Sequence, residues 1–479
     1  MTLSLRKIGG NAISIFTSDA MNRATNFVLY ALVARHLGAR EFGQLSLALT
    51  LFYVFQVSAV AGVKMFITRE VARDRARTGI YFVNSCVGVT ITSLSSFLAL
   101  FGFVHLLHYP PDTTRVILLL AAGLFPYSLS AVCEGIFQAW EQMRYIACVN
   151  VPVNVAKIGC AFLLLSRWHE LFVVVLILFC SLIVIAGMEA WILVRRFPWK
   201  ASFQSGTALA IVRSASPFLG IEGISAVIGS VNIVLLSKLA NETQAGLFNA
   251  ATQMMAPLLL VYQSFALSIF PMMCRKAEPG FQSLKRISET AIELLLILAL
   301  PAVAGLFFLG DSALAVLYKS PIFLQAFPAL KVMTWTLLLR VFSCILGQAL
   351  VASHREEVNL RIVAVDTIVT VVAGWPLIRY FGLYGAAIAV LLTSIADFFQ
   401  HYVAVSRLIR EIQVVRLVWK PFLAGACMAA YLARSSGRTN VLTGLSATFI
   451  YAVVLLAFAI WASGGLRKFK DKYLPVLSS

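Results

Sequence analysis

The sequence predicts an all-α, polytopic membrane protein with about fourteen transmembrane helices, and three observations carry that reading. First, 60% of the 479 residues are hydrophobic and only 13% are charged, where a soluble domain carries roughly 45–50% and about 25%. Second, apolar runs of about 20 residues, the length that crosses the hydrocarbon core, recur from end to end. Third, lysine and arginine gather in alternate segments between those runs. The mean hydropathy is +0.87, a value that suits lipid rather than water as the solvent.

The runs fall at 11–35, 44–67, 81–106, 116–139, 147–166, 171–193, 217–238 and 247–273, then at 290–309, 327–352, 362–379, 386–405, 421–433 and 441–462. Helices are expected throughout, because an open strand leaves backbone groups unpaired in lipid. The run 421–433 is the shortest and is free to extend either way. Pro126, Pro152 and Pro257 lie inside runs, where proline either kinks a helix or serves packing. The first run is interrupted by Asp19 and Arg23 and has no small-residue cleavage site, so it reads as a retained span and not as a signal peptide.

Orientation follows from the loop cations. One set of segments, starting with Arg6 and Lys7 and ending with Arg467, Lys468, Lys470 and Lys472, holds 25 of them. The alternate set holds 9: Arg35, Arg40, Arg115, Arg167, Lys238, Lys319, Arg379, Arg434 and Arg438. The first set is expected in the cytoplasm with both termini, which requires an even number of spans. A repeat at an offset of 203 residues sets 34–48 (ARHLGAREFGQLSLA) over 237–251 (SKLANETQAGLFNAA), pairing Gly43 with Gly246. A parallel duplication is a common transporter plan. The expected layout is a six-helix lobe over 1–200, an interfacial linker over 201–216 and a second six-helix lobe over 217–406. An amphipathic cytoplasmic helix over 407–420 then leads to two further helices and a basic tail over 421–479.

Composition also excludes classes. The net charge of +18 does not mark a nucleic-acid binder, because the cations sit in short loops between spans. The eight cysteines form no C-x-x-C pair and the six histidines are scattered, so neither a disulfide framework nor a metal site is expected. HExxH, nucleophile-elbow, Walker A and GxGxxG patterns are absent. No cofactor is expected.

Charges at bilayer depth are costly and usually face a bundle interior or a watery cavity. Arg23 lies about 12 residues, or roughly 18 Å, from either end of its run. Lys157, Arg340 and Asp397 are similarly central. Lys64, Glu134, Glu189, Glu222, Glu293 and Asp366 lie closer to cytoplasmic ends, where snorkelling or solvation at the mouth accounts for them. Asp19 stands one turn before Arg23, a spacing that permits an intrahelical pair. The cations either line a cavity or are buried in ion pairs with Asp397 as partner. On the cavity reading, Arg23, Lys157 and Arg340, with Lys64 added, bind substrate, while Asp397, Glu222 and Asp366 are the ion-coupling candidates. Three central cations against one anion suit an anionic headgroup, and arginine suits phosphate.

The stretches LVARHLGAREFGQLSLA (32–48), REVAR (69–73) and RYFGLYGAAIA (379–389), with the fourteen-span layout, resemble polysaccharide-biosynthesis (O-antigen-type) flippases. These belong to the multidrug/oligosaccharidyl-lipid/polysaccharide exporter superfamily, and the resemblance covers essentially the whole chain. It implies two six-helix lobes in a V around a central cavity, plus two C-terminal helices. It also implies translocation of an undecaprenyl-pyrophosphate-linked oligosaccharide between leaflets of a bacterial inner membrane by alternating access, with membrane lipids and a polysaccharide polymerase as partners. The family's cationic cavity maps by depth onto Arg23, Lys157 and Arg340. Two alternatives stand beside this one. A cation-coupled multidrug exporter needs an acidic cavity. A membrane glycan polymerase or ligase needs a large outer loop, and the longest outer segment expected here is 310–326 with one acid, Asp311.

Overall fold

The computed structural model describes residues 5–60, 62–197, 223, 226, 227, 229–277, 281–409, 413–435 and 441–462. Among these residues the regular structure is helical and there are no strands. The expected linker 201–216 and the candidate Glu222 lie outside them. The chain forms two compact units, Met1–Asn249 and Ala250–Ser479.

The first unit holds α1 (Leu5–His36), α2 (Ala39–Val60), α3 (Val63–Arg73) and α4 (Thr78–Leu106). After them come α5 (Pro111–Ala122), α6 (Leu124–Ala139), α7 (Arg144–Leu165), α8 (Leu171–Arg196) and α9 (Gly229–Leu239). Helix α10 (Glu242–Ala277) starts in it. The second unit continues with α11 (Phe281–Tyr318), α12 (Phe327–Ala352), α13 (Glu356–Ile409), α14 (Val414–Arg434) and α15 (Val441–Ala462). In the first unit α1 packs on α7, α3 on α6, and α8 on both α6 and α7. In the second, α12 packs on α11 and α13, while α14 packs on α11 and α15.

Ten helices among the described residues are long and apolar enough to cross a membrane, where the sequence predicts fourteen spans over the whole chain. One of the ten, Glu356–Leu408, is a hairpin. A straight helix of that length would run about 80 Å at 1.5 Å per residue, far beyond a hydrocarbon core of about 30 Å. The chain turns back at Gly382, whose φ of 54° a side chain rarely tolerates. Thr370 then meets Thr393 at 3.0 Å across the hairpin, and Gln400 reaches Asp366. The runs 362–379 and 386–405 are these two limbs. Helix α1 falls outside the ten because Asp19, Asn22, Arg23 and Asn26 make its middle polar. Two further apolar stretches, Gly229–Leu239 and Thr443–Phe458, stand beside the ten, the second inside α15.

Other boundaries shift for local reasons. The expected run 116–139 is one apolar span, 111–139, with a break in its helix between α5 and α6 at Gly123, three residues before Pro126. Pro126 has no N–H to give to Ala122, so the ladder is broken where α5 ends. The segment 310–326, expected as an outer loop, is helical to Tyr318 and then forms a 3₁₀ turn over Pro321–Ala326. Buried Leu314, Tyr318 and Phe323 hold it, with Tyr318 stacked on Phe323 at 4.6 Å. The short run 421–433 extends toward its amino side into α14, which passes through Pro421 and takes in 414–420.

The surface inverts the rule for soluble proteins. Ile91, Leu98, Leu163, Trp191, Val372 and Phe449 are each more than half exposed, as lipid-facing side chains should be. Several hydroxyls and amides in the helices bond back within their own turns. Thr25 donates to Met21 O at 2.6 Å, Ser46 to Phe42 O at 2.6 Å, and Asn154 Nδ2 to Asn150 O at 2.9 Å.

The repeat acquires a physical meaning in the first unit. A Cβ on Gly43 would overlap the Glu242 carbonyl, and a Cβ on Gly246 would overlap the Ala39 carbonyl. Because 242 is 39 plus 203 and 246 is 43 plus 203, these contacts are reciprocal, as in a two-fold self-complementary interface. Asn249 Nδ2 donates to Ser46 Oγ at 2.6 Å, and these two residues are also 203 apart. Glu242 is fastened beside them by Arg40 at 3.3 Å, by Gln44 at 3.1 Å and by Thr113. Gly43→Leu or Gly246→Leu is expected to cost about 1–3 kcal/mol or more by overpacking, read as a lowered unfolding midpoint in detergent. Gly102→Leu, where nothing lies within 4 Å, serves as the neutral control. A Gly43→Leu protein as stable as that control would rule out the close packing.

Candidate functional site

In the first unit, the packing of α1 on α7 brings two of the predicted cations together. Lys157 on α7 is 8% exposed. Its Nζ donates to Asn26 Oδ1 on α1 at 3.4 Å. Asn26 follows Arg23 by three residues, so both occupy one side of α1. Arg23 itself is exposed from the unit. Asp19 is exposed too, and among the described ion pairs none joins it to Arg23. Lys157 is thus a buried ammonium whose hydrogen-bond partner is a neutral amide. Its charge is left for something else to balance.

Lys64, at the start of α3, has a different setting. Its Nζ forms an ion pair with Glu134 Oε2 on α6. Thr68, one turn on, donates to Lys64 O at 2.8 Å and to Gly135 O at 3.1 Å. These bonds seat α3 on α6 and hold the lysine backbone beside its acid. The pair accounts for Lys64 without a ligand.

In the second unit, the hairpin of α13 and the face of α12 build one polar cluster. Asp397 Oδ1 lies 2.9 Å from His401 Nδ1, one turn along the same limb. His401 Nε2 is 3.0 Å from Asn359 Oδ1 on the opposite limb. Both ring nitrogens therefore face oxygens. Gln400 Nε2 donates to Asp366 Oδ1 at 2.9 Å. Asp366 and Asp397 lie within electrostatic reach of each other, and Ser343 on α12 stands near Asp397. Two carboxylates this close repel strongly unless a proton, a cation or the imidazolium stands between them. Gly347, one turn beyond Ser343, leaves the space: a Cβ there would sit 3.3 Å from His401 Nε2.

Arg340 is exposed on α12, three residues before Ser343, and lies within electrostatic reach of Asp397. The close ion pair between Arg340 and Asp397 that one of the two readings of the central cations expects is not among the described ion pairs, and Asp397 pairs with His401. The structure thus brings Arg340, Asp366 and Asp397 into one neighbourhood of the second unit. It brings Arg23 and Lys157 into one neighbourhood of the first. Asn26, Ser343, Asn359, Gln400 and His401 were not singled out from the sequence. The spacing of four between Asp397 and His401 was a usable signal, since it places both on one helical face.

Residues 8–276, more than half of the chain, match the family described as polysaccharide biosynthesis protein. An O-antigen transporter, so described, of Shigella dysenteriae is 22% identical over 390 residues, covering 80% of this chain and 96% of that one. A low-salt glycan biosynthesis flippase, so named, of Haloferax volcanii is 20% identical over 387 residues, with 80% of each chain covered. Among solved structures, the lipid II flippase MurJ in an inward closed conformation superposes with a TM-score of 0.78. The identity is 14%, with 94% of this chain and 97% of that one covered. An inward-facing multidrug resistance MATE transporter of the MOP superfamily gives 0.66 at 16% identity, covering 81% and 95%. At such identities the likeness is one of fold, a multi-pass helical membrane fold. The two curated relatives are named as a transporter and a flippase, not as enzymes.

Removing the imidazole should expose the strain in the acid pair. His401→Ala is expected to destabilise the detergent-purified protein by about 1–3 kcal/mol, and adding Asp366→Asn should regain part of that loss. If the double variant melts no higher than His401→Ala, the three groups do not form one coupled network.

Proposed function

This chain belongs to the polysaccharide biosynthesis protein family, and we propose that it flips an undecaprenyl-pyrophosphate-linked oligosaccharide from the inner to the outer leaflet. The membrane is the bacterial cytoplasmic membrane, the mode is alternating access, and the product feeds surface polysaccharide assembly. The observation that carries this reading is the state of Lys157, a buried ammonium at span depth held by the neutral Asn26. A cation left in low dielectric without an acid attracts an anion strongly. A pyrophosphate is an anion of the right kind, and Arg23, three residues from Asn26, adds a fork suited to phosphate oxygens. The polyprenyl tail stays in the bilayer while the charged head crosses.

Arg340 extends the cationic set in the second unit, and Lys64 serves mainly as the counter-ion of Glu134. Asp366 and Asp397 are the coupling site in this reading, taking the proton or cation whose gradient drives the cycle; Glu222 remains a further candidate. Both termini face the cytoplasm, where the loop cations gather. A polysaccharide polymerase is the expected consumer of the flipped product. The acid pair would also suit a cation-coupled multidrug exporter, and the choice rests on the cargo.

In reconstituted vesicles, Arg23→Ala is expected to abolish translocation of the lipid-linked oligosaccharide while leaving folding intact. Arg23→Lys should retain part of it. Losing one charge-assisted contact of about 1.5–3 kcal/mol weakens headgroup binding about ten- to a hundredfold. Unaffected transport in Arg23→Ala would remove Arg23 from the mechanism, and transport of organic cations in place of the glycan would favour the exporter.

A further inference from the structure

One ionisable group in the first unit belongs to neither site above. Glu189 on α8 is 0% exposed. Its Oε2 accepts from Ser130 Oγ on α6 at 2.6 Å, and its Oε1 has no hydrogen-bond partner. Glu134 stands one turn beyond Ser130 on the same face of α6, within electrostatic reach of Glu189. Lys64 reaches this pair of acids from α3 but is bound to Glu134, which Asn150 Nδ2 of α7 also approaches at 3.5 Å. The remaining titratable neighbours are the thiols of Cys133 on α6 and Cys86 on α4. Beneath the acids lies an apolar cluster that includes Ile67, Val132, Ile136 and Leu193. Among these groups Lys64 is the cation, and it is paired with Glu134.

An ionised carboxylate in that position would be fully desolvated, would face a second carboxylate and would leave one oxygen bare. The neutral acid avoids the first two penalties. We propose that Glu189 is a proton-binding site of the first unit, with Glu134 as its relay and Lys64 as a counter-ion shared between the two acids. In the arrangement seen here, Lys64 is paired with Glu134 and the proton rests on Glu189. When Lys64 swings to Glu189, the O–H bond at Oε1 breaks, its electron pair stays on Glu189, and the proton passes to the Glu134 carboxylate. Net charge over the three groups is unchanged by that exchange. Glu134 then releases the proton to water, since its side chain is 21% exposed, leaving one negative charge on the trio. The anchoring of α3 by Thr68 and Gly135 fixes the lysine backbone, so the swing is confined to the side chain. Uptake reverses these steps. The site is independent of the cargo and separate from the acids of the second unit.

The test uses the full-length protein in lipid nanodiscs and infrared difference spectroscopy of protonated carboxyl groups, with pH as the only ligand. At neutral pH a carboxylic C=O band is expected in the unmodified protein. It should vanish in Glu189→Gln and persist in Asp366→Asn and in Asp397→Asn. Ser130→Ala, which removes the one hydrogen bond to Glu189, should shift the band while keeping its intensity. Lys64→Met should raise the pH at which the band titrates away by about one unit or more, because the ionised form loses its counter-ion. A band untouched by both Glu189→Gln and Ser130→Ala would overturn the proposal, as would its absence from the unmodified protein. Should Glu189→Gln fail to fold, the band shift in Ser130→Ala decides alone. None of these readouts depends on glycan transport, so a failure here leaves the flippase reading standing, and the reverse.

Discussion

The constraint on which everything else rests is that hydrocarbon offers no hydrogen bonds. Each polar group placed in a span must find its partner within the protein or keep a free-energy penalty. The backbone meets this by being helical. Serine, threonine and asparagine side chains meet it by bonding back one turn, as Thr25, Ser46, Thr90, Asn154 and Thr370 do. Ionisable side chains cannot be satisfied in that way, so they are the places where helices must come together in particular pairs. The pairings of α1 with α7, of α3 with α6, and of the α13 limbs with α12 each contain such a group.

The three solutions differ in sign and completeness. Lys64 and Glu134 cancel each other. Asp366 and Asp397 are brought together and share His401, which leaves an excess of acid. Lys157 is offered an amide and retains an excess of base. Incomplete pairing at depth lowers stability, and a neutral or paired residue would remove that penalty. Under the function proposed above, the two opposite senses in the two units correspond to two different ligands. An anionic head and a coupling cation or proton fit those senses.

Hydropathy and loop charge made the helical membrane fold legible because both are one-dimensional signals. They placed the two limbs of the α13 hairpin, although no single residue announced the reversal at Gly382. They did not show the break at Gly123 inside the span 111–139, nor the helix at 310–318. There the deciding facts are a missing N–H at Pro126 and the burial of Tyr318 against Phe323. Depth along a span likewise singled out Lys157 and Asp397. Their partners stayed hidden, since Asn26 is 131 residues from Lys157 and Asn359 is 42 from His401. Amides and one histidine scarcely disturb an apolar profile. Glu189 was read as a solvated acid from its nearness to a span end. Its burial depends on α6 and α7 packing over it, which no linear pattern records.

The repeat at an offset of 203 residues has a physical reading in the contacts its two segments make. At 39–46 and 242–249 each copy is the packing surface of the other. Gly43 is small because the Glu242 carbonyl lies against it, and Gly246 is small because the Ala39 carbonyl does the same. A larger residue in either copy meets the backbone of the other, and a change in Ser46 is felt by its own counterpart, Asn249. Self-complementary contact therefore couples the two copies residue by residue. The resemblance at an offset of 203 survives where the copies touch because there each one limits what the other can become.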